Sequence, residues 1–289
     1  MKHLCSCGFV IALTLTASAV GQPPSAGASG PALWIVRHDD AAVYLFGRMA
    51  VGNGSQWLTP TIQQAFDASA ELWLENPSAD GGRGNELIRR HGFADGFSVL
   101  QVIDESKRTR AIRLLKRAGL PADALDGRKA WLANLLLSQL IDRVNHVDGS
   151  LFPDTVLRQR AEAQGKNVFS EWRDIAELVA YSVGLPETIQ LQLLGKALDD
   201  SESYPARLEE WLRGDVDALS ITADATARNY PDAHRTVNVE RNARWVARIR
   251  TMLADDDTEF VAIGVGHVVG PDNLLSQLLA GGLTVERVN

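Results

Sequence analysis

The sequence predicts an α/β protein, with a central sheet formed by β-loop-α-β units at the two ends of the chain and a large, mostly helical insert between them. Apolar runs of strand length, rich in β-branched and aromatic residues, gather near both termini. The stretch from about residue 84 to 255 instead carries helical spacing and helix-end signals. The two terminal regions also echo each other.

The chain of 289 residues opens with a short polar start at Lys2 and His3, followed by an apolar run from Phe9 to Ala17 that is too short to span a bilayer comfortably. Ala17-Ser18-Ala19 supplies small residues, so residues 1–19 are expected to be a signal peptide cut before Val20, with an uncleaved anchor as the alternative. Residues 20–30, rich in Pro, Ser, Gly and Ala, read as a flexible linker, and 31–289 as a single domain. Cys5 and Cys7 both lie in the signal segment, which excludes disulfides, Cys nucleophiles and Cys-rich zinc sites from the domain. No later segment is expected to span a membrane stably, and a net charge of −7 argues against nucleic acid as the main partner.

Leu33-Trp34-Ile35-Val36-Arg37 and Val43-Tyr44-Leu45-Phe46-Gly47 read as two strands joined by a turn at His38-Asp39-Asp40. A helix from near Thr59-Pro60 leads to a third strand, Glu71 to Glu75. Asp104-Glu105 at one end and Lys116-Arg117 at the other suit the dipole of a single helix. Its basic residues Lys107, Arg108, Arg110, Arg113, Lys116 and Arg117 lie opposite an apolar stripe and read as a solvated face, the alternative being a docking surface for an acidic partner. Trp131, Leu135, Leu136 and Leu140, and later Val246, Ile249 and Leu253, keep helical spacing. Asn167-Val168-Phe169, Phe260 to Gly264 and Leu283 to Val288 complete the expected strands.

The echo points to a site. A strand runs into Gly47-Arg48-Met49-Ala50-Val51, then a helix, then a strand ending in Glu75; a second strand runs into Gly264-Val265-Gly266-His267-Val268, then a helix expected from Pro271, then a strand containing Glu286. Two such units paired in one sheet bring their loops together at the carboxyl ends of strands, where open α/β sheets bind ligands. Gly264, Gly266 and Gly270 allow close approach of a ligand, and His267 among them can bind metal or move protons, or simply bond locally. Pro271 as a first helical residue would aim free N–H groups at the same crevice. His38, His91, His146 and His234 read as surface residues. There is no P-loop, His-Glu-x-x-His or Gly-x-Ser-x-Gly, and the glycines do not make a dinucleotide fingerprint.

Leu33 to Val36, Val43 to Gly47, Glu75, the segment Glu240-Arg241-Asn242-Ala243-Arg244-Trp245 and Gly264 to Asp272 together resemble the TraB/GumN family, from about Ala32 onwards. The family is similar to the TIKI metalloproteases, and the resemblance implies an α/β domain with two Gly-x-x-His motifs and metal-dependent peptidase chemistry. Carried over, Glu75 is the strand-end glutamate and His267 the second histidine, both catalytic and both ligands of a divalent metal such as manganese, cobalt or zinc. Arg241 and Asn242 would project toward the crevice; as neighbours on a helix they point different ways, so only one need be functional. With the signal peptide, a mainly bacterial family implies a periplasmic or secreted protein whose partner is a peptide or an envelope component.

The chain departs from that pattern at two places. The first Gly-x-x-His would end at position 50, which is Ala50, and the usual Thr after its Gly is Arg48. Near Lys166, Glu171-Trp172 stands where the family carries Leu-Glu. A metal site needs about three protein ligands, and a methyl group has no lone pair to offer. Arg48 is a permanent cation in the loop that lacks its histidine; either it pairs with Glu75 in place of the metal, which makes the chain a degenerate, metal-free binding member, or it points to solvent and nothing replaces the metal. The alternative is an active metal-dependent hydrolase using Glu75 and His267.

Overall fold

The computed structural model describes residues 30–52, 55–78, 81–255 and 257–289, so the expected signal peptide and all of the linker except Gly30 lie outside the described residues. The architecture is mixed α/β, with six strands in one sheet ordered β4-β3-β5-β2-β1-β6. β1 (Leu33–His38) and β2 (Ala41–Arg48) form an antiparallel hairpin. His38 ends β1 rather than sitting in the turn, which Asp39 makes with a φ of 51°. The helix α1 (Pro60–Ala68), capped by the Thr59 hydroxyl, leads to β3 (Glu71–Leu74). Glu75 is the first residue beyond that strand.

The helical insert then runs through α2 (Gly81–His91), α3 (Val99–Val102), α4 (Glu105–Arg117), α5 (Ala130–Val144) and α6 (Pro153–Ala163). It joins the sheet once, at its edge, as β4 (Asn167–Ser170) and continues through α7 (Ile175–Gly184), α8 (Glu187–Leu212), α9 (Val216–Asn229) and α10 (Pro231–His234). A π-helical turn, Arg235–Val239, joins α10 to α11 (Glu240–Met252). β5 (Thr258–Gly264), a short 3₁₀ turn at Val265–His267, α12 (Leu274–Ala280) and β6 (Thr284–Arg287) complete the order. Among the described residues no helix is long and apolar enough to cross a membrane.

β5 is the centre of the fold. It pairs in parallel with β2 on one side and β3 on the other, and β3 pairs in parallel with β4. A parallel strand covered on both faces reads as a continuous apolar run, and Phe260, Val261, Ala262 and Ile263 are all fully buried. Phe46 of β2 stacks on Trp57 at 5.6 Å between ring centroids and leans on Trp211 of α8 at 6.1 Å. The Trp211 indole donates to Gly47 O at 2.6 Å, fixing the end of α8 to the end of β2. A second apolar cluster, with Leu115, Leu137 and Leu194, packs α4, α5 and the first half of α8 together.

The basic residues of α4 are only partly solvated. Arg110 pairs with Asp199 and Glu202 of α8, and Arg113 reaches Glu202 at 2.9 Å, so the acidic partner of this face includes a neighbouring helix of the same chain. The helix expected from Pro271 begins later. The Asn273 side chain accepts from the Ser276 N–H and caps α12 at Leu274, so side-chain capping sets the start instead of proline.

Candidate functional site

Parallel pairing brings four strand ends into one row. Arg48 lies opposite Gly264, and Leu74 lies opposite both Ala262 and Ser170, so Arg48, Gly264, Glu75 and Glu171 all stand at the carboxyl edge of the sheet. The two echoing loops meet there.

Glu75 is the hub. Its Oε2 accepts from Arg48 Nη2 at 3.0 Å and from the Gly264 N–H at 2.8 Å, while its Oε1 accepts from Arg241 Nη2 at 3.0 Å. His267 Nε2 lies 3.7 Å from Oε1, outside hydrogen-bond distance. Burial by itself would raise the Glu75 carboxyl, but Arg48, His267 and Arg241 outweigh it and hold the group well below the usual carboxylate range. Glycine at position 264 leaves room for this contact, since a Cβ there would stand 3.0 Å from Glu75 Oε2 and press on it.

Arg48 also faces Asp154 in the first turn of α6, with Nε 2.5 Å from Oδ1. The two atoms are close but not aligned for a hydrogen bond, so this contact is an ion pair. Burial pushes the Asp154 carboxyl up, and Arg48 only partly offsets that rise. Arg241 grips Glu171 with Nε at 2.9 Å and with Nη2, a bidentate arrangement, and the Trp245 indole donates to Glu171 Oε2 at 3.2 Å.

Arg241 and Asn242 both take part. The helix turns Arg241 toward Glu75 and Asn242 toward the loop, where Asn242 Oδ1 lies 2.7 Å from His267 Nδ1. Asn242 Nδ2 donates to Asp272 O at 3.1 Å, which leaves Oδ1 as the acceptor and His267 Nδ1 as the donor. Nε2 of this buried imidazole is thereby turned toward Glu75. Gly266 holds the loop through its carbonyl, which accepts from Asn238 Nδ2 in the π turn at 3.0 Å.

The site opens into a crevice of about 440 Å³ between the sheet edge, α5 and α8. Arg48, Ala50, Glu75, Arg241, Gly264 and His267 line one side, and Asn134, Ser138 and Asp142 of α5 line another. From α8, Lys196, Asp200, Tyr204 and Arg207 face the same space. Burial would raise the Asp200 carboxyl, but Lys196 and Arg207 hold it below its ordinary value. Burial, with the nearby Asp142 charge, pushes the Tyr204 phenol up to about 12, and its hydroxyl donates to Ala50 O at 3.0 Å.

The residues at the sheet edge do not fit a divalent metal. Both oxygens of Glu75 already accept from guanidinium groups, position 50 carries only a methyl group, and a metal ion beside Glu75 would sit against two arginine cations. Among the described residues no group of three His, Cys, Asp or Glu side chains is arranged to hold a metal.

Residues 32–287 match the family model described as the TraB/PrgY/gumN family. The chain belongs to that family. Neither the curated proteins nor the solved structures include a match to it. In this TraB/PrgY/gumN-family chain the ion-pair cluster contains two acids that sequence reasoning did not select, Glu171 and Asp154. Glu171 follows β4 directly, as Glu75 follows β3, and that shared placement was its available signal. Asp154, just after Pro153 at a helix start, carries no signal beyond that of an ordinary first-turn acid. His234, expected at the surface, instead has a half-buried ring beside the crevice.

Proposed function

We propose that this TraB/PrgY/gumN-family chain is an exported, periplasmic or secreted, non-catalytic binding protein in which an arginine-carboxylate network stands where a TIKI-like relative would hold metal. One observation carries the reading: each oxygen of Glu75 is engaged by a different arginine, Arg48 on Oε2 and Arg241 on Oε1. Paired in this way the carboxylate is a poor metal ligand and a poor general base, because removing either arginine from it costs more than a water contact returns. The network instead keeps the loops apart and the crevice open for a peptide or an envelope component.

The second reading, a metal-dependent peptidase using Glu75 and His267, draws support from the imidazole. Asn242 fixes its tautomer and presents Nε2, as outer partners do for a ligand histidine. The experiment that separates the readings is metal analysis of the purified protein with thermal titration by manganese, cobalt and zinc, beside an Ala50→His, Arg48→Thr double variant. The expected result is a metal-free native protein and a double variant that gains metal binding. About one equivalent of metal in the native protein, with metal-stimulated peptide cleavage lost in His267→Ala, overturns the binding reading. Export is tested on the full-length chain by N-terminal sequencing after expression in a bacterial host, with Val20 expected as the first residue of the exported form.

A further inference from the structure

Beside the main crevice lies a smaller cavity of about 50 Å³, lined by Thr222 and Thr226 of α9, His234 of α10 and Asn238 of the π turn. Lys196, Asp200 and Arg207 line both cavities, as do Asn238, Val265 and Gly266, so the two spaces adjoin at this cluster. The spacing of the three α8 residues puts them on a single face of the helix.

The charges of the three α8 residues shared by the two cavities do not balance. Lys196 Nζ lies 2.5 Å from Asp200 Oδ2 and Arg207 Nη1 lies 2.8 Å from Oδ1, so two cations share one carboxylate. Both oxygens of Asp200 are used, while the ammonium and the guanidinium each keep further N–H donors. Across the small cavity, His234 Nε2 is buried without a hydrogen bond, and the carboxylate near it, Asp272 Oδ2, is 3.8 Å away. Thr222 and Thr226, one helical turn apart, add two hydroxyls to the wall. The lining is thus rich in donors with one positive charge in excess. A space of about 50 Å³ has room for roughly three or four waters, which is the size of a carboxylate or phosphate group.

The opposite wall of the main crevice has the complementary character. Asn134 Oδ1 on α5 is buried without a donor, and Asp142, two turns along the same helix, has no side-chain hydrogen bond among the described residues and is pushed up by burial. We propose that the two cavities together bind a small hydrophilic molecule with a terminal oxyanion, a phosphate or a carboxylate. Lys196, Arg207, His234 and the two threonines hold the oxyanion, and its body supplies hydrogen-bond donors to Asn134 and Asp142. This assignment rests on the crevice being a binding site and names the ligand chemistry of that site.

The test is the thermal stability of the full chain in inorganic phosphate and in acetate, each against sodium chloride at equal ionic strength. At about ten times its dissociation constant the preferred anion should raise Tm by roughly 3–6 °C, and comparison of the two salts tells a phosphate site from a carboxylate site. His234→Gln and Thr222→Val remove groups with no side-chain hydrogen bond among the described residues, so both should fold. His234→Gln, together with Lys196→Gln, should weaken anion binding by tenfold or more. Equal responses to phosphate, acetate and chloride in the native protein overturn the proposal, as does a native-like response in His234→Gln and Thr222→Val. Metal analysis of the same samples reports separately on the binding reading: a metal-free protein that ignores both anions removes only the oxyanion site, whereas a metal-loaded protein removes the reading beneath it.

Discussion

Replacing Arg48 by methionine keeps the stem of the side chain and deletes the guanidinium that two acids share. The side chains of Arg48, Glu75 and Asp154 are only 10, 15 and 16% exposed, so solvent cannot take over the lost contacts. Glu75 keeps Arg241 and the Gly264 N–H, so most of the loss falls on Asp154, whose Oδ1 faces Arg48 and has no aligned hydrogen bond. Breaking a buried pair from one side costs about 3–5 kcal/mol, and Arg48→Met should fall at the low end, about 3 kcal/mol, because Glu75 stays partnered. That is a drop of roughly 6–12 °C in Tm. Asp154→Asn in the same chain removes the orphaned charge, so the double variant should recover at least ~1 kcal/mol relative to additivity. The pH dependence has a definite sign. Burial already raises the Asp154 carboxyl above its unfolded value despite Arg48, and loss of Arg48 raises it further. The native variant then binds a proton that the unfolded chain has released, so its deficit is greatest above the folded pKa and shrinks as pH falls toward the unfolded one. Urea titrations at about pH 5 and about pH 7.5, compared at constant m, measure this. Equal deficits at both pH values, together with additive effects of Arg48→Met and Asp154→Asn, would refute the argument.

Three further outcomes are expected. Burial, with Glu71, Asp257 and Asp255 adding to it, pushes the Glu259 carboxyl up to about 7 from an ordinary 4.5, so stability should fall as pH rises through that window. Glu259→Gln should flatten the fall and gain about 2 kcal/mol at about pH 8 in urea titrations. Gly264→Ala places a methyl 3.0 Å from a carboxylate oxygen that Arg48 and the Gly264 N–H hold in place, and should cost about 1–2 kcal/mol, seen as a lower urea midpoint. Trp211→Phe keeps an aromatic ring beside Phe46 but leaves the Gly47 carbonyl without its donor, and should lower stability by about 2 kcal/mol in a calorimetric scan.

The strand ends were legible where local chemistry set them. The apolar runs Val43–Phe46 and Phe260–Ile263 became adjacent parallel strands, and their matching loops placed Arg48 opposite Gly264. The start of α4 was legible because Asp104-Glu105 suits the positive end of a helix dipole, and the structure adds that the Asp104 side chain accepts from the Lys107 N–H as a cap. The acids completing the network were not selected: Asp154 reads as an ordinary first-turn acid of α6, and the meeting of Glu171 with the site depends on strand order. β4 is half-exposed and short, and nothing within Asn167–Ser170 says that it lies beside β3, so Glu171 gave no sign of meeting Arg241. Arg241 and Asn242 were both candidates, but only one was expected to be needed, because neighbours on a helix diverge. Here the two neighbours reach different members of one cluster, Arg241 to Glu75 and Asn242 to His267.

The place of β5 has a consequence for how the chain acquires its shape. This strand separates β2 from β3, yet it comes after nearly the whole helical insert. Until residues 258–264 are present, the sheet exists only as two fragments, β2 with β1 and β3 with β4, each with a bare edge where β5 belongs. Closing those edges requires contacts between residues far apart in sequence, which folds slowly. In chain order the sheet therefore runs from the periphery inward, and the keystone comes late. A chain released at residue 255 would keep most of its helices in sequence but have no joined sheet. The crevice, whose floor includes Gly264 and His267, forms only when that final insertion does.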